Sequence, residues 1–222
     1  MAARPAVRGT AENDQLEGPP DPLGTEPVQD SSRRLIEAAV DAFAERGYHA
    51  TTTRDIATRV GLSPAALYVH FPSKQALLTQ ISLLGHEAAV ELVTTSMVGL
   101  PDPLGRLRAV IRAFASWHAE HHLVARVVQH ELAALADDDR RVVIGLRQQI
   151  QRLVQQQLED GVAAGQMQVD DTRAVARALL SLSVDVSRWY DPKGKETPDG
   201  IGRLYADLAT RMVGASQPPT EG

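Results

Sequence analysis

The side chains of this chain able to do chemistry are its histidines, hydroxyls and cations, because it contains no cysteine. Disulfides, thiolate metal sites and cysteine nucleophiles are therefore excluded. The densest histidine run is HAEHH, in which His118 and His122 stand one helical turn apart. No carboxylate completes a coordination set at an obvious spacing, so the run reads as helix-end or surface histidines and no metal is expected. The nucleophile elbow, the phosphate-cradling glycine loop, the dinucleotide fingerprint and the zinc HExxH pattern are all missing, which argues against an enzyme and implies no cofactor. A second set is more informative. Thr52, Thr53, Arg54, Ser63, Tyr68, His70 and Lys74 fall within one short stretch, TTTRDIATRVGLSPAALYVHFPSK. Hydroxyl, guanidinium and ammonium donors of this kind bind phosphate oxygens and, at the right depth, base edges.

The elements that must position these groups follow from local chemistry. Thr52 and Asp55 have the spacing of a capping box, with Asp where Glu or Gln is usual. Ile56, Ala57 and Val60 form the inner face of a short helix, which Gly61 ends by taking a left-handed conformation at no steric cost. Ser63 caps a second helix and Pro64 occupies its first position, where a missing N–H is harmless. Phe71-Pro72 closes that helix and Ser73 opens a third. Two short helices joined through a glycine turn make a helix-turn-helix, with its core over 52–71. Upstream, Leu35, Ile36, Ala39, Val40 and Phe43 repeat at helical spacing, and Gly47 stands just past their end.

With 222 residues and a net charge of -5, the whole chain does not look like a nucleic-acid binder. The charge is uneven, however. Residues 1–30 hold two arginines against six acids, whereas residues 31–76 hold six cations against four acids. Phosphate responds to the local patch. Five of the 13 prolines precede residue 31, and that segment reads as a disordered arm over 1–30, as does a tail over 216–222. No apolar run approaches the ~18 residues that would span a bilayer, and the amino terminus is not a secretory signal, so a cytoplasmic protein with no membrane partner is expected.

Between Leu104 and Asp191 there is no proline, and apolar residues recur at helical spacing. Leu107, Ile111, Phe114 and His118 line one helix, and Leu146, Ile150, Leu153, Val154 and Leu158 another. Two more are expected near 172–190 and 199–213, joined by DPKGKETPDG. Sustained period-two alternation is missing, so the fold expected is all-α. It has about nine helices: a three-helix DNA-binding head over 31–91 and a larger helical body over 92–215.

The stretch Arg33–Leu78 resembles the amino-terminal domain of the TetR family of transcriptional regulators, carried by AAVDAFAERGYHATTTRDIATRVGLSPAALYVHFPSK. By that resemblance Thr52, Thr53 and Arg54 approach phosphates or bases at the start of the first helix. Ser63, Pro64, Ala65 and Ala66 face bases at the start of the recognition helix, and Tyr68, His70 and Lys74 contact the backbone. Two departures stand out. Val69 replaces a second aromatic, and Pro64, Ala65 and Ala66 offer no side-chain donors, which leaves direct reading mainly to Arg54 and Ser63. The rest falls to thymine-methyl contacts and DNA shape.

The resemblance also implies a ligand-responsive homodimer on double-stranded operator DNA, with a small-molecule effector. Leu179, Leu182, Val186, Leu204, Leu208 and Met212 are the candidate dimer seam, although the same stripe would serve a monomer core. Phe114, Trp117, His118, Arg126, His130, Trp189 and Tyr190 are the candidate ligand contacts. The ending SRWYDPKGKETPDGIGRLYADLATRMVG is similar to a TetR subgroup answering to acyl-CoA and steroid-type catabolites, so an acyl-CoA or other lipophilic effector is the expectation. The rival reading is a helical-bundle enzyme or small-molecule carrier with an incidental helix-turn-helix.

Overall fold

Local capping chemistry sets the ends of the first helices in this computed structural model, which describes residues 18–23 and 30–215. Helix α1 (Asp30–Arg46) ends before Gly47, whose φ of 81° lies in the left-handed region. Helix α2 (Thr53–Arg59) starts on the full Thr52–Asp55 capping box, and Gly61 at φ 71° turns the chain into α3 (Pro64–His70). Ser63 accepts the Ala66 N–H and Ser73 the Ala76 N–H, so both serines cap where they were expected, whereas Ser31 and Ser32, either of which was expected to cap α1, lie inside it.

Ser73 opens α4 (Lys74–Thr95), which is followed by α5 (Pro103–Glu120), α6 (His122–His130) and a single 3-10 turn, Leu132–Ala134. Helices α7 (Asp137–Ala163), α8 (Thr172–Trp189) and α9 (Pro198–Met212) complete an all-α fold with no strand among the described residues. Helix α4 is 22 residues long and apolar enough to cross a membrane by length and composition, although Gln80, Ser82, His86 and Glu87 interrupt its apolar run. Its apolarity is used in two cores. Leu77, Leu78 and Ile81 pack with Leu35, Ile36, Phe43, Ile56 and Leu67 in the head. Farther along, Ala88, Ala89, Leu92 and Val93 pack with Leu107, Ile111, Val154 and Leu158 in the body. One rigid rod thus belongs to both parts. The head core also takes in Val124, Val127 and Val128 of α6, so head and body share packing there as well.

Helices α5 and α9 cross at close range because Gly202 has no side chain. A Cβ there would stand 2.2 Å from Ser116 Oγ and 2.6 Å from the Arg112 carbonyl oxygen. Polar clasps flank the crossing, with Arg108 bonded to Asp207 at 2.9 Å and Ser116 Oγ donating to the Pro198 carbonyl at 3.0 Å.

The arm reading fails over residues 18–23. Leu23 is buried in the head core, the Trp117 indole N–H donates to the Pro20 carbonyl at 2.8 Å, and Asp21 pairs with Arg33. Three prolines in GPPDPL restrict the unfolded chain, so little entropy is lost on docking, and one leucine with two polar clasps holds the segment. Residues 1–17, 24–29 and the expected tail over 216–222 lie outside the described residues.

Candidate nucleic-acid interface and ligand cavity

The helix-turn-helix brings two of its hydroxyls together. Thr53 Oγ1 lies 3.1 Å from the Tyr68 hydroxyl, which links the start of α2 to the outer side of α3. Tyr68 and Val69 are both exposed, and Ala65 presents a bare methyl beside Pro64 and Ala66 at the start of α3. Asp55 receives the Thr52 backbone N–H and hydroxyl, which hold its carboxyl below the usual carboxylate range. That keeps the cap charged and the α2 amino terminus fixed.

Most cations of residues 31–76 are already engaged. Arg33 pairs with Asp21 and Glu37, Arg46 with Asp55, and Arg59 with Glu45, while Arg34 donates to the Val60 carbonyl. His70 Nδ1 is 2.8 Å from Ser32 Oγ, so His70 ties α3 back to α1. Lys74 Nζ donates to the carbonyls of Tyr48 and Thr51, both at 2.7 Å, and sits 4.2 Å from the Tyr48 ring centroid. An ammonium has three N–H donors, so one remains for an outside acceptor. Arg54 is exposed and has no ion-pair or hydrogen-bond partner among the described residues. Among those residues it is the one long cationic donor of the head left open.

The body holds a cavity of ≈ 240 Å³ bounded by α4 to α8. Its floor is aromatic. Phe114 and Trp117 flank His118, with ring centroids 4.4 and 5.2 Å away, and all three are buried. The apolar wall continues through Gly85, Ala89, Val124, Val128, Ile150 and Leu180. The other rim is polar, with Arg147 and Gln151 from α7 and Arg177 and Ser181 from α8.

Two neutral histidines shape the interior. His86 Nδ1 donates to the Ser82 carbonyl at 2.7 Å, and its Nε2 accepts from Arg147 Nε at 2.9 Å. His118 Nδ1 donates to the Phe114 carbonyl at 2.7 Å. Desolvation by burial lowers both imidazoles to about 4, so each is neutral at pH 7 with Nε2 as an acceptor. Burial also draws the Arg147 guanidinium below its ordinary value, yet it stays a cation and donates to the Val128 carbonyl at 3.3 Å.

Of the ligand contacts expected from sequence, Phe114, Trp117 and His118 meet at the cavity. Arg126 and His130 lie on another side of α6 and line separate clefts. Trp189 is 43 % exposed at the end of α8, and Tyr190 stacks edge-on against His122 at 5.4 Å. His86, Arg147, Gln151 and Arg177 were not picked out, because a cation in a helix such as RQQIQR carries no sign of which way it faces. The HAEHH histidines do not converge. His118 and His122 each bond a carbonyl of the preceding turn, and no group of three potential metal ligands stands together among the described residues.

The seam expectation divides. Leu179 and Val186 are 2 % and 0 % exposed within the single chain, so they are core and not seam. Both pack inward on α5 and its neighbours because helical spacing alone does not separate the inner stripe of α8 from its outer one. Leu182, Leu204, Leu208 and Met212 are exposed by 46, 55, 38 and 42 %.

Residues 35–81 match the family model for bacterial regulatory proteins of the tetR family, and residues 101–213 match that of the tetracyclin repressor-like C-terminal domain. The chain belongs to the TetR family. It is a DNA-binding transcriptional regulator of all-helical build. The repressor KstR2 of Mycolicibacterium smegmatis is 32 % identical to this TetR-family chain over 203 residues, covering 86 % of it and 95 % of the relative. A tetR-family regulatory protein from Rhodococcus RHA1 superimposes with a TM-score of 0.81 at 35 % identity, over 86 % of this chain and all of the other. AibR, solved with isovaleryl coenzyme A and operator DNA, shares the fold of this TetR-family chain with a TM-score of 0.74 at 22 % identity, over 83 % of this chain and 99 % of its own.

Proposed function

We propose that this chain is a cytoplasmic homodimeric repressor that leaves its operator when an amphiphilic effector, of the acyl-CoA or a similar lipophilic class, enters the body. The observation that carries this reading is the course of α4. Its first turn holds the loop before α2 through Lys74, and its middle supplies Gly85, His86 and Ala89 to the cavity wall. An occupant that tilts α4 moves the whole head, because packed helices shift as rigid bodies. Adjacent operator half-sites are ~34–36 Å apart, so displacements of a few ångströms put the second head out of register. An apolar wall with guanidiniums on one rim suits a ligand with a hydrocarbon body and an anionic or phosphorylated head. The names of KstR2, a repressor, and of AibR, solved with an acyl thioester, are in keeping with it.

Within this reading Thr52, Thr53, Tyr68, His70 and Lys74 anchor phosphates, and Arg54 and Ser63 read bases with Pro64, Ala65 and Ala66 against the groove. Leu182, Leu204, Leu208 and Met212 form the seam. The test is selection of genomic fragments by the purified protein, followed by titration of the recovered DNA with acyl-CoA thioesters of increasing chain length. Recovery of one inverted-repeat motif, and its release by a thioester, is the expected result. Recovery of unrelated fragments would overturn the reading.

A further inference from the structure

The floor of the cavity holds one hydrogen-bonding atom that the protein leaves unused. His118 donates Nδ1–H to the Phe114 carbonyl, so the neutral ring offers Nε2 as an acceptor. Among the described residues Nε2 has no hydrogen-bond partner, and Arg126 Nε is the single buried side-chain nitrogen or oxygen without one. His118 Nε2 is therefore not sealed in packing. His118 is 4 % exposed and lines the cavity, so Nε2 opens there. The difference from His86 is instructive. His86 Nε2 is occupied by Arg147 Nε, which removes it as a ligand group.

An unpaired acceptor on an apolar floor discriminates between ligands. A hydrocarbon end placed against Nε2 strips water from it and gives nothing back, whereas an O–H donor replaces that water. Sites built to bond a ligand hydroxyl reject the analogue lacking it more strongly than apolar pockets reject one methylene. The Phe114 and Trp117 rings pack against the imidazole and its Nδ1–H is bonded to the Phe114 carbonyl, so the acceptor is held in direction before a ligand arrives.

We infer that the effector is an amphiphilic acid or ester hydroxylated at its buried end, whose O–H donates to His118 Nε2 while its anionic head meets Arg147 and Arg177 at the rim. This rests on the cavity being the effector site, and it names the group that the site selects.

The chain has two tryptophans, and Trp117 lines the cavity whereas Trp189 is exposed at the end of α8. In a Trp189→Phe background, Trp117 emission reports occupancy directly. The probes are octanoate and its ω-hydroxy derivative, which share a head and a chain length. The hydroxylated probe should bind at least tenfold more tightly, and His118→Phe should cut that ratio by tenfold or more. Comparing the ratio cancels the different hydration of the two free probes. His118→Gln, which keeps an acceptor, should retain part of the preference and serves if the phenylalanine variant does not fold. Equal binding of both probes to the parent protein, or a preference unchanged in His118→Phe, would overturn the hydroxyl assignment and leave the effector site standing. Silence of Trp117 toward both probes at millimolar concentration would overturn the effector site itself.

Discussion

Arg54 and Lys74 are cations of the same head with different surroundings, and that difference sets what is expected of each on DNA. Arg54 has no partner among the described residues, so its five donors are open to a guanine or phosphate. Arg54→Ala should cost ~1–3 kcal/mol in operator binding and relax the preference at one position of each half-site. A selection with this variant that returns an unchanged motif would contradict the assignment. Lys74 spends two donors on the Tyr48 and Thr51 carbonyls and keeps one. Lys74→Ala should therefore have two effects together. Leaving those carbonyls short of a partner should lower stability by ~1–3 kcal/mol, read from urea midpoints. Losing one phosphate contact should reduce the salt slope of binding by about one on all sequences alike. A full stability loss with an unchanged slope would make Lys74 a purely structural clasp. The helix-turn-helix was legible because caps and glycine stops are local: Thr52, Asp55, Gly61, Ser63 and Ser73 act within three residues of themselves. That Lys74 reaches back 26 residues to Tyr48 leaves no local sign.

The packing of α5 on α9 is the most extensive between elements of the body, and Gly202 is the condition of its close approach. Alanine is favoured over glycine inside a helix by ~1 kcal/mol, so local propensity alone predicts that Gly202→Ala stabilises α9. The crossing reverses that sign. The new methyl meets the Arg112 carbonyl oxygen at 2.6 Å, and a helix backbone atom cannot swing aside as the Ser116 hydroxyl can. The helices must part, which strains the Arg108–Asp207 and Ser116–Pro198 clasps on the same seam. Overpacking of this kind costs ~1–3 kcal/mol, so Gly202→Ala should lower the urea midpoint without changing its slope. A midpoint equal to or above the parent's would show that the crossing is looser than drawn. Sequence reading placed α9 to within a residue at each end and found α5 by its apolar stripe alone, but gave no sign of this contact. A glycine in IGRLYADL carries no mark of the helix it will touch. The same limit hid the 18–23 strap, where composition argues for disorder and only the distant partners Trp117 and Arg33 argue otherwise.

At the scale of the whole molecule, the exposed faces of α8 and α9 ask for a partner. Leu182, Leu204, Leu208 and Met212 are each more than a third exposed, while the remaining stripe, with Leu179, Val186, Ala206 and Ala209, is buried in the chain itself. Four large apolar side chains exposed on two neighbouring helices are the expected mark of an interaction surface. A two-fold axis through it would let each copy present the same patch, as helical pairs do in isologous dimers. Removing the pair of helices would be a poor test, because α9 also closes the body against α5. A charge on the outer face is cleaner. Leu208 is 38 % exposed in the single chain, so Leu208→Glu solvates its carboxylate in the monomer and costs the fold little. In the dimer two such carboxylates would approach across the axis in a surface stripped of water, each without a cation assigned to it. Leu208→Glu should therefore keep the parent's helical circular dichroism, sediment as a monomer, and lose operator binding while keeping weak non-specific affinity. That last remainder follows because one head still carries Arg54 and Lys74 and needs no partner to touch phosphates, whereas register on two half-sites needs both heads at a fixed separation. A helical Leu208→Glu protein that sediments as a dimer and binds its operator would move the seam off this face.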